Sequence, residues 1–466
     1  MTAFDRTGPR TDRERLLLVL ALAAVVTAFT ATVPLLRGWF DLKVYYGTVD
    51  SWIHHGGRIY DYAVPGTAYG FTYPPFAAVC MLPMALVGWP VAVVVALLLN
   101  LAALAVVLRV LAGRGWRRHG WFRWAVAVCL LALFEPLRDT VSFGQVNLLL
   151  LALVLTDGRL LHTGRHRWAG VGIGLAAAIK LTPALFICLL LLARRWRAAA
   201  VATAVAAGAS ALAALVDPDA SRFYWTRGMW DTTRVGQLAY VSNQSLQGVL
   251  ARLGETGRPA WALAAIAVLA VWAWRARRAV ECGDWRAAFA LTGTAACLVS
   301  PVTWVHHLVW LLPSLAVLLR AGRPRIAAAV YAVLCSSVVW LWHDGASGVD
   351  GFLGSNAYTW IALGLLLGLP VGQSRAGRLP LNRRVSSTAP APRPTAPAIV
   401  PVAGQPDASD PSDPATAAAA GATRCAPRGT GRSASSDPTG STRPAASNPQ
   451  SSSSRASSYT ASPPPS

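Results

Sequence analysis

Residues 16–36 read LLLVLALAAVVTAFTATVPLL, an unbroken apolar stretch that follows Arg6, Arg10, Arg13 and Arg15. An α-helix needs about 20 apolar residues to cross a bilayer, so this stretch is long enough for one span. The arginines before it predict that its first end faces the cytoplasm. No obvious small-residue cleavage site accompanies it, so we expect a retained span rather than a secretory signal.

Further apolar runs follow along the chain, in which 54% of the 466 residues are hydrophobic and only 14% are charged. This composition is typical of a polytopic membrane protein and not of a soluble domain. The runs lie near 75–112, 124–140, 146–160, 168–181, 183–195, 198–216, 259–274, 287–302, 305–319, 326–342 and 357–372. Counting the first of these once, with a break at Gly88-Trp89-Pro90, predicts an all-α polytopic membrane protein of about twelve transmembrane helices.

Positive charge is concentrated in alternate loops between these runs. The chain carries 42 Lys and Arg against 21 Asp and Glu, a net charge of +21. In a soluble protein this balance would favour a nucleic-acid partner, but no basic face alternates with stacking aromatics, so we expect none. By the positive-inside rule, the cytoplasmic loops hold Arg114/Arg117/Arg118/Arg123, Arg159/Arg165/Arg167, Arg194/Arg195/Arg197, Arg275/Arg277/Arg278, Arg320/Arg323/Arg325 and Arg383/Arg384.

The same rule divides the chain into regions. Residues 1–15 are predicted to be a cytoplasmic N-terminus and 16–372 the multi-span membrane domain. Residues 373–466 are predicted to form a disordered cytoplasmic tail, because they are rich in Pro, Ser and Ala. The remaining loops face the outside of the cell membrane and hold most of the unusual polar residues; they lie near 37–74, 138–147, 181–183, 217–258, 303–306 and 343–356.

The first outer loop carries Asp41 a few residues beyond the first span. A carboxylate beside a membrane is partly desolvated, which suits it to proton abstraction. An interfacial charge with no catalytic task is the competing interpretation, and Asp50 is the alternative base. His54, His55 and Asp61 lie nearby, but adjacent histidines without a third ligand at helical spacing are weak evidence for a metal site.

Two outward-facing cations are candidates for binding a phosphate. Lys180 lies between two short apolar runs, where Thr182-Pro183 breaks the helix, and such a lysine calls for an anion. Snorkelling to the interface is the alternative. Arg138 lies within Glu135-Pro136-Leu137-Arg138-Asp139, and polar groups at membrane depth are usually functional. A self-satisfied Glu/Arg/Asp network that only joins helices would have the same sequence.

Other polar residues end the apolar runs on the outer side. Amides and arginines beside aromatic rings suit sugar hydroxyls and phosphates, although the aromatic belts of membrane interfaces look similar. The candidates for orienting a sugar or headgroup are Tyr73, Gln145, Asn147, Asn243 and Gln244, with the paired His306 and His307 and the loop residues Trp225, Arg227, Trp230 and Arg234.

Several of these motifs resemble, in order and spacing, one family. It is the actinobacterial polyprenyl-phosphate-mannose-dependent mannosyltransferases, glycosyltransferase family 87, whose members have the GT-C membrane fold. The resemblance covers residues 15–372 and excludes the tail. The motifs are Asp41-x-x-Val44-Tyr45, Phe71-Thr72-Tyr73-Pro74-Pro75, Gly144-Gln145-Val146-Asn147, Ile179-Lys180-Leu181-Thr182-Pro183, Ser242-Asn243-Gln244-Ser245 and Ser300-Pro301-Val302-Thr303-Trp304-Val305-His306-His307.

The resemblance implies a polyprenyl-phosphate mannose donor and a glycolipid or glycan acceptor of the cell envelope, such as phosphatidylinositol mannosides, lipomannan or lipoarabinomannan. In this fold an acidic residue of the first outer loop is the usual catalytic base, which corresponds to Asp41. It implies inversion of a β-linked donor to an α-mannoside, with Lys180, Arg138, His306 or His307 stabilising the phosphate. We interpret the sequence as lacking an Asp-x-Asp nucleotide-sugar motif, so we expect no essential divalent metal and no other cofactor.

Other functions remain compatible with the sequence. A transporter or flippase of lipid-linked sugars would have a similar number of spans, but it should show internal repeats and midplane polar groups. A scaffold protein would act through the tail, so truncating the tail would abolish its function. Within the enzyme class, a lipid-linked arabinose donor is the alternative to mannose. Acceptor and linkage cannot be inferred from the sequence.

Overall fold

The structure is a computed structural model. It describes residues 11–32, 38–113, 120–164, 166–254, 257–345 and 347–372. The predicted tail lies outside the described residues, as do most of the predicted N-terminal segment and the arginines Arg114, Arg117, Arg118 and Arg165.

The described residues are helical and contain no β-strand; the one isolated bridge is antiparallel, between Ala63 and Gly70. The expected all-α class is therefore confirmed for this part of the chain. The α-helices are α1 Asp12–Thr32, α2 Phe40–His54, α3 Pro75–Met81, α4 Trp89–Ala112, α5 Trp121–Leu133, α6 Glu135–Phe143, α7 Asn147–His162, α8 Val171–Ile179, α9 Leu185–Leu192, α10 Trp196–Val216, α11 Pro218–Thr226, α12 Leu246–Arg252, α13 Arg258–Glu281, α14 Trp285–Val299, α15 Leu312–Arg320, α16 Pro324–Cys335, α17 Gly348–Ser355 and α18 Ala357–Gly368.

Short 3₁₀ helices connect several of these elements. They are Leu82–Leu86, His166–Trp168, Thr182–Ala184, Gly228–Trp230, Thr232–Arg234, Val305–Leu311 and Val338–Trp342. By length and composition, the described helices α1, α4, α10 and α13 could each cross a membrane, which gives 4 spans. The bent pair α6 and α7 raises the number to 5 if it counts as one span. The expectation of about twelve spans stays a prediction.

Proline positions explain where the apolar runs divide. The break at Gly88-Trp89-Pro90 is confirmed, since α4 begins at Trp89 after Gly88 in an extended conformation. The run predicted near 124–140 is two helices, because α5 ends at Leu133 and Pro136 lies in the first turn of α6. Proline has no N–H with which to continue a preceding helix. The interpretation of 124–140 as one span was therefore wrong.

The helix predicted near 259–274 is longer than expected. It continues as α13 to Glu281, so Arg275, Arg277 and Arg278 lie in its last turns and not in a loop. The Nε of Arg277 pairs with Oε1 of Glu281 at 2.9 Å, one helical turn away. Basic side chains near the end of a helix also interact favourably with its dipole, so the arginines extend the helix beyond the apolar run.

Two buried clusters position the loops between the helices. The larger one surrounds α14, whose residues Ala287 to Leu298 are all buried. The smaller one lies in the 37–74 segment, where Leu42 and Val49 of α2 pack with Phe71 and the start of α3. This smaller cluster holds α2, and therefore Asp41, in a fixed position beside α6.

Candidate active site

The elbow between α6 and α7 brings Gln145 to Asp41. The two helices are bent by 117°, and the bend is made by Gly144, which has φ 72°. A Cβ on Gly144 would lie 2.6 Å from that of Leu42, so only glycine allows α2 to pack this closely. The backbone N–H of Trp39 also donates to the carbonyl of Ser142 at 3.1 Å. At this contact Nε2 of Gln145 donates to Oδ2 of Asp41 at 2.7 Å.

A chain of hydrogen bonds leads from Asp41 to Lys180. The hydroxyl of Tyr73 donates to Oε1 of Gln145 at 2.9 Å. The same hydroxyl accepts from Nζ of Lys180 at 3.2 Å and from the hydroxyl of Tyr45 at 3.0 Å. The catalytic candidate and the phosphate candidate are therefore linked through one amide and one phenol, although they lie far apart in sequence.

Lys180 follows the last residue of α8, where the chain turns into the 3₁₀ helix Thr182–Ala184. Its Nζ donates to Oδ1 of Asn147 at 3.0 Å and lies 2.7 Å from Nε2 of His307. The backbone N–H of Trp304 donates to Nδ1 of His307 at 3.0 Å, so a neutral ring carries its proton on Nε2. The amine and the ring N–H therefore converge on one small region, an arrangement that suits an anion.

Burial sets the electrostatics of Asp41. It raises the pKa of this carboxyl to about 6, against the hydrogen bond from Gln145 and the charge of Lys180, which both lower it. The carboxylate is thus ionised near neutral pH, yet it is more basic than an exposed aspartate. A group with these properties suits general-base catalysis.

The space beside Lys180 is small. A cavity of about 10 Å³ is lined there by Asn147, Lys180, Cys297 and His307, among others. This is room for about one water molecule. The polar groups therefore hold one another directly, and any ligand larger than a water molecule would have to displace some of these contacts.

Of the predicted site residues, Asp41, Tyr73, Gln145, Asn147, Lys180 and His307 are brought together, and we call them the catalytic cluster. Their individual roles stay predictions. Tyr45 was present in a recognised motif but was not predicted as a site residue. Its hydroxyl bond to Tyr73 depends on the fold, so no local sequence signal marks it.

His306 and Arg138 occupy different places. The centroid of the His306 ring lies 5.3 Å from that of Phe143 and 4.6 Å from that of His307. His306 therefore packs against the catalytic cluster through the ring of His307. The guanidinium of Arg138 donates to Oγ of Ser337 at 3.2 Å and lies 5.0 Å from the ring of Phe29. None of these contacts of Arg138 is with the catalytic cluster.

Asn243 and Gln244 are fully buried and are hydrogen bonded to the surrounding backbone. Oδ1 of Asn243 accepts the N–H of Thr303 at 2.9 Å. Nε2 of Gln244 donates to the carbonyls of Val241 and Ser355 at 2.7 Å each. These bonds hold the 242–245 loop in place, and they do not support the predicted direct contact of either amide with substrate.

The weak metal candidates make other contacts. Nε2 of His54 lies 2.9 Å from the carbonyl of Ala85, and Nε2 of His55 lies 3.4 Å from Oδ2 of Asp50. No group of three or more His, Cys, Asp or Glu side chains suited to a metal occurs within the described ranges. The interpretation that the sequence lacks an Asp-x-Asp motif was wrong, because Asp217-Pro218-Asp219 is such a triplet. Its first carboxylate caps α11 by accepting the N–H of Ala220.

Comparison with known proteins identifies a family. The model of Glycosyltransferase family 87 matches residues 71–301. A Polyprenol-phosphate-mannose-dependent alpha-(1-2)-phosphatidylinositol pentamannoside mannosyltransferase of Mycobacterium tuberculosis is 35% identical over 64% of this chain and 70% of its own length. A protein of the same description from Mycolicibacterium smegmatis is 33% identical over 76% of this chain and 81% of its own.

A Polyprenol-phosphate-mannose-dependent alpha-(1-2)-phosphatidylinositol mannoside mannosyltransferase of Mycobacterium tuberculosis is 31% identical over 65% of this chain and 75% of its own length. No solved structure matches the chain significantly. The family model, these relatives and the apolar helices agree with the resemblance seen in the motifs. The chain therefore belongs to Glycosyltransferase family 87, and it is a membrane hexosyltransferase.

Proposed function

We propose that this protein transfers mannose from polyprenyl-phosphate mannose to a phosphatidylinositol mannoside at the extracytoplasmic face of the cell membrane. The activities for which its relatives are named support both the donor and the acceptor class. We further propose that the membrane domain has the GT-C fold with about twelve spans, as the apolar runs predict. The alternation of arginine-rich loops supports the outward placement of the first loop.

In this proposal Asp41 is the general base. Its carboxylate takes the proton of an acceptor hydroxyl while the hydroxyl oxygen bonds to the anomeric carbon of the mannose. The bond from that carbon to the lipid phosphate breaks in the same step, and the phosphate leaves with the electron pair. Attack from the opposite face inverts a β-linked donor to an α-mannoside. The hydrogen-bonded path from Asp41 through Gln145 and Tyr73 to Lys180 is the observation that carries the proposal.

The leaving phosphate needs positive charge rather than a proton. Nζ of Lys180 and Nε2 of His307 lie 2.7 Å apart, and both are donors when the lysine is an ammonium. An incoming phosphate oxygen would accept from both and relieve this donor-to-donor contact. Preorganised donors of this kind stabilise the charge that develops on the leaving group.

The test uses the full-length protein in liposomes with radiolabelled polyprenyl-phosphate mannose and purified phosphatidylinositol mannosides. We expect label in the acceptor only when both substrates are accessible from the side on which Asp41 reacts with impermeant reagents. The product should be digestible by an α-mannosidase and resistant to a β-mannosidase. Label that crosses the bilayer without joining an acceptor would identify a flippase and reject the transfer.

A further inference from the structure

A second cavity lies in the outer loops, outside the catalytic cluster. Its volume is about 150 Å³, and Tyr60, Asp61, Tyr62, Gly70 and Arg234 are among the residues that line it. It shares no lining residue with the small cavity beside Lys180. This volume corresponds to about ten water molecules, which is the size of a single sugar ring rather than of a lipid chain.

The cavity presents one acceptor and one donor of opposite charge. Within the described chain, the Asp61 side chain accepts no hydrogen bond and is exposed. The guanidinium of Arg234 donates one bond, to the carbonyl of Tyr60 at 2.8 Å, and its remaining N–H groups have no partner among the described residues. A carboxylate and a guanidinium that line the same cavity are suited to the donor and acceptor groups of a polyol.

Aromatic packing makes the walls rigid. The ring of Tyr60 stacks on Tyr224 with centroids 6.1 Å apart and an interplanar angle of 17°. Arg234 lies 5.3 Å from the ring of Phe223, which holds its guanidinium in place. Tyr62 packs against Gly47 of α2, where any larger side chain would overlap its ring. The cavity is therefore preorganised, and the partly exposed Tyr62 in its lining is a residue type on which sugar rings stack.

The same tyrosine wall reaches the catalytic cluster. The hydroxyl of Tyr60 donates to the backbone carbonyl of Tyr73 at 2.8 Å, while the Tyr73 side chain bonds to Gln145 and Lys180. On the other side, Tyr69 packs edge to face on Phe40, the neighbour of Asp41, with centroids 6.1 Å apart. The cavity is thus connected to the proposed base through Tyr60, Tyr73 and Gln145.

We propose that this cavity binds one sugar ring of the acceptor glycan, adjacent to the ring whose hydroxyl attacks the donor. The inference rests on the proposed function. The donor's own sugar has to lie between Asp41 and Lys180, so it cannot also occupy this cavity. An acceptor phosphate fits poorly because the Asp61 carboxylate would repel it. A neutral polyhydroxylated ring satisfies both charged groups and the aromatic wall.

The experiment measures transfer kinetics with Asp61→Asn and Arg234→Gln in the full-length protein. Exposed residues of α11 provide matched controls, namely Asp219→Asn and Arg222→Gln. We expect the pocket variants to raise the KM for a phosphatidylinositol mannoside by about tenfold, since each loses a charge-assisted hydrogen bond. The KM for the lipid donor and the kcat at saturating acceptor should change less than about twofold, as in the controls.

A series of acceptors shortened by one mannose at a time gives the sharper readout. Once the ring that fills the cavity is missing, wild type and Asp61→Asn should have the same KM. A tenfold defect that persists with the shortest acceptor would overturn the inference, because a merely structural change affects every acceptor alike. Variants that match wild type with every acceptor would also overturn it. Absence of transfer by wild type itself would instead reject the proposed function.

Discussion

The catalytic cluster and the 242–245 loop both concentrate polar residues at the ends of apolar helices, yet these residues have different hydrogen-bond partners in the two regions. In the 242–245 loop, the amides of Asn243 and Gln244 bond almost wholly to backbone groups. In the catalytic cluster, side chains bond to side chains from distant segments, as Asp41, Gln145 and Tyr73 do. Bonds to the backbone fix a fold, whereas bonds between side chains can be exchanged for bonds to a substrate.

The comparison predicts that substitutions in the two regions will change different properties, namely the transfer rate for one and the stability for the other. Substitutions in the catalytic cluster should lower the transfer rate with little loss of stability. Substitutions in the 242–245 loop should lower stability with little loss of rate per folded molecule. The predictions below begin with the largest expected change in rate.

Asp41→Asn should slow transfer by at least about 10³-fold, because it removes the base. It also replaces one carboxylate oxygen, an acceptor, by an NH₂ group that donates. Asp50→Asn is the matched control. It lies nine residues further along α2, on the opposite face of the helix, where its carboxylate meets His55. Rates come from single-turnover assays of equal amounts of inserted protein. A larger loss with Asp50→Asn would assign the base to Asp50.

Lys180→Met should slow transfer by about 10²-fold, since a cation that stabilises the leaving phosphate is lost while the volume of the side chain is kept. Lys43→Met provides the control, because Lys43 is the only other lysine in the chain and is exposed. The measurement is kcat with saturating donor and acceptor. Equal effects of the two substitutions would mean that Lys180 has no special part in catalysis.

Transfer by the wild type should fall by about fivefold between pH 6 and pH 5, because the base must be ionised. The raised pKa of Asp41, about 6, sets the pH at which the rate begins to fall.

The contribution of Asp41 to the stability of the fold changes with pH in the opposite direction. A carboxyl whose pKa is higher in the folded state stabilises the fold at low pH, and this contribution is lost as the pH rises through 6. Thermal unfolding over the same pH range separates the two effects. A rate that stays constant down to pH 5 would contradict the role of Asp41.

Gln244→Ala should change the rate per folded molecule by less than about fivefold, although it leaves several buried groups without partners. The expected cost is about 2–5 kcal/mol of stability, seen as a lower Tm in detergent. Gln237→Ala removes an exposed amide from the same outer segment and serves as the control. A stable Gln244→Ala protein that transfers 10²-fold more slowly would place this residue in the substrate site after all.

Much of the fold was predictable because its signals are local. Apolar runs and proline positions located most helices, and the break before α4 followed from Trp89-Pro90. Helix ends were less predictable where tertiary contacts decide them. Arg275 extends α13 beyond the apolar run because its guanidinium bonds to backbone carbonyls of Leu366 and Leu369, far along the chain.

The sequence predicted which residues form the candidate site better than it predicted the contacts that they make. Family motifs indicated Asp41, Gln145 and Lys180, and the fold brings them together. The motifs gave the same weight to Gln244, since a sequence does not show whether an amide will meet backbone groups or another side chain. The contacts of Arg138 could not be predicted for the same reason, because charge alone does not reveal the direction in which a side chain points.

The elbow at Gly144 joins the proposed chemistry to the packed interior of the protein. Gln145 lies at the corner between α6 and α7, and most of α7 is buried in the larger cluster, so a well-packed helix anchors the hydrogen bond to Asp41. Truncation of a buried leucine of α7, such as Leu151→Ala, would loosen this anchor from a distance. Turnover would then slow although no polar group of the site had been changed.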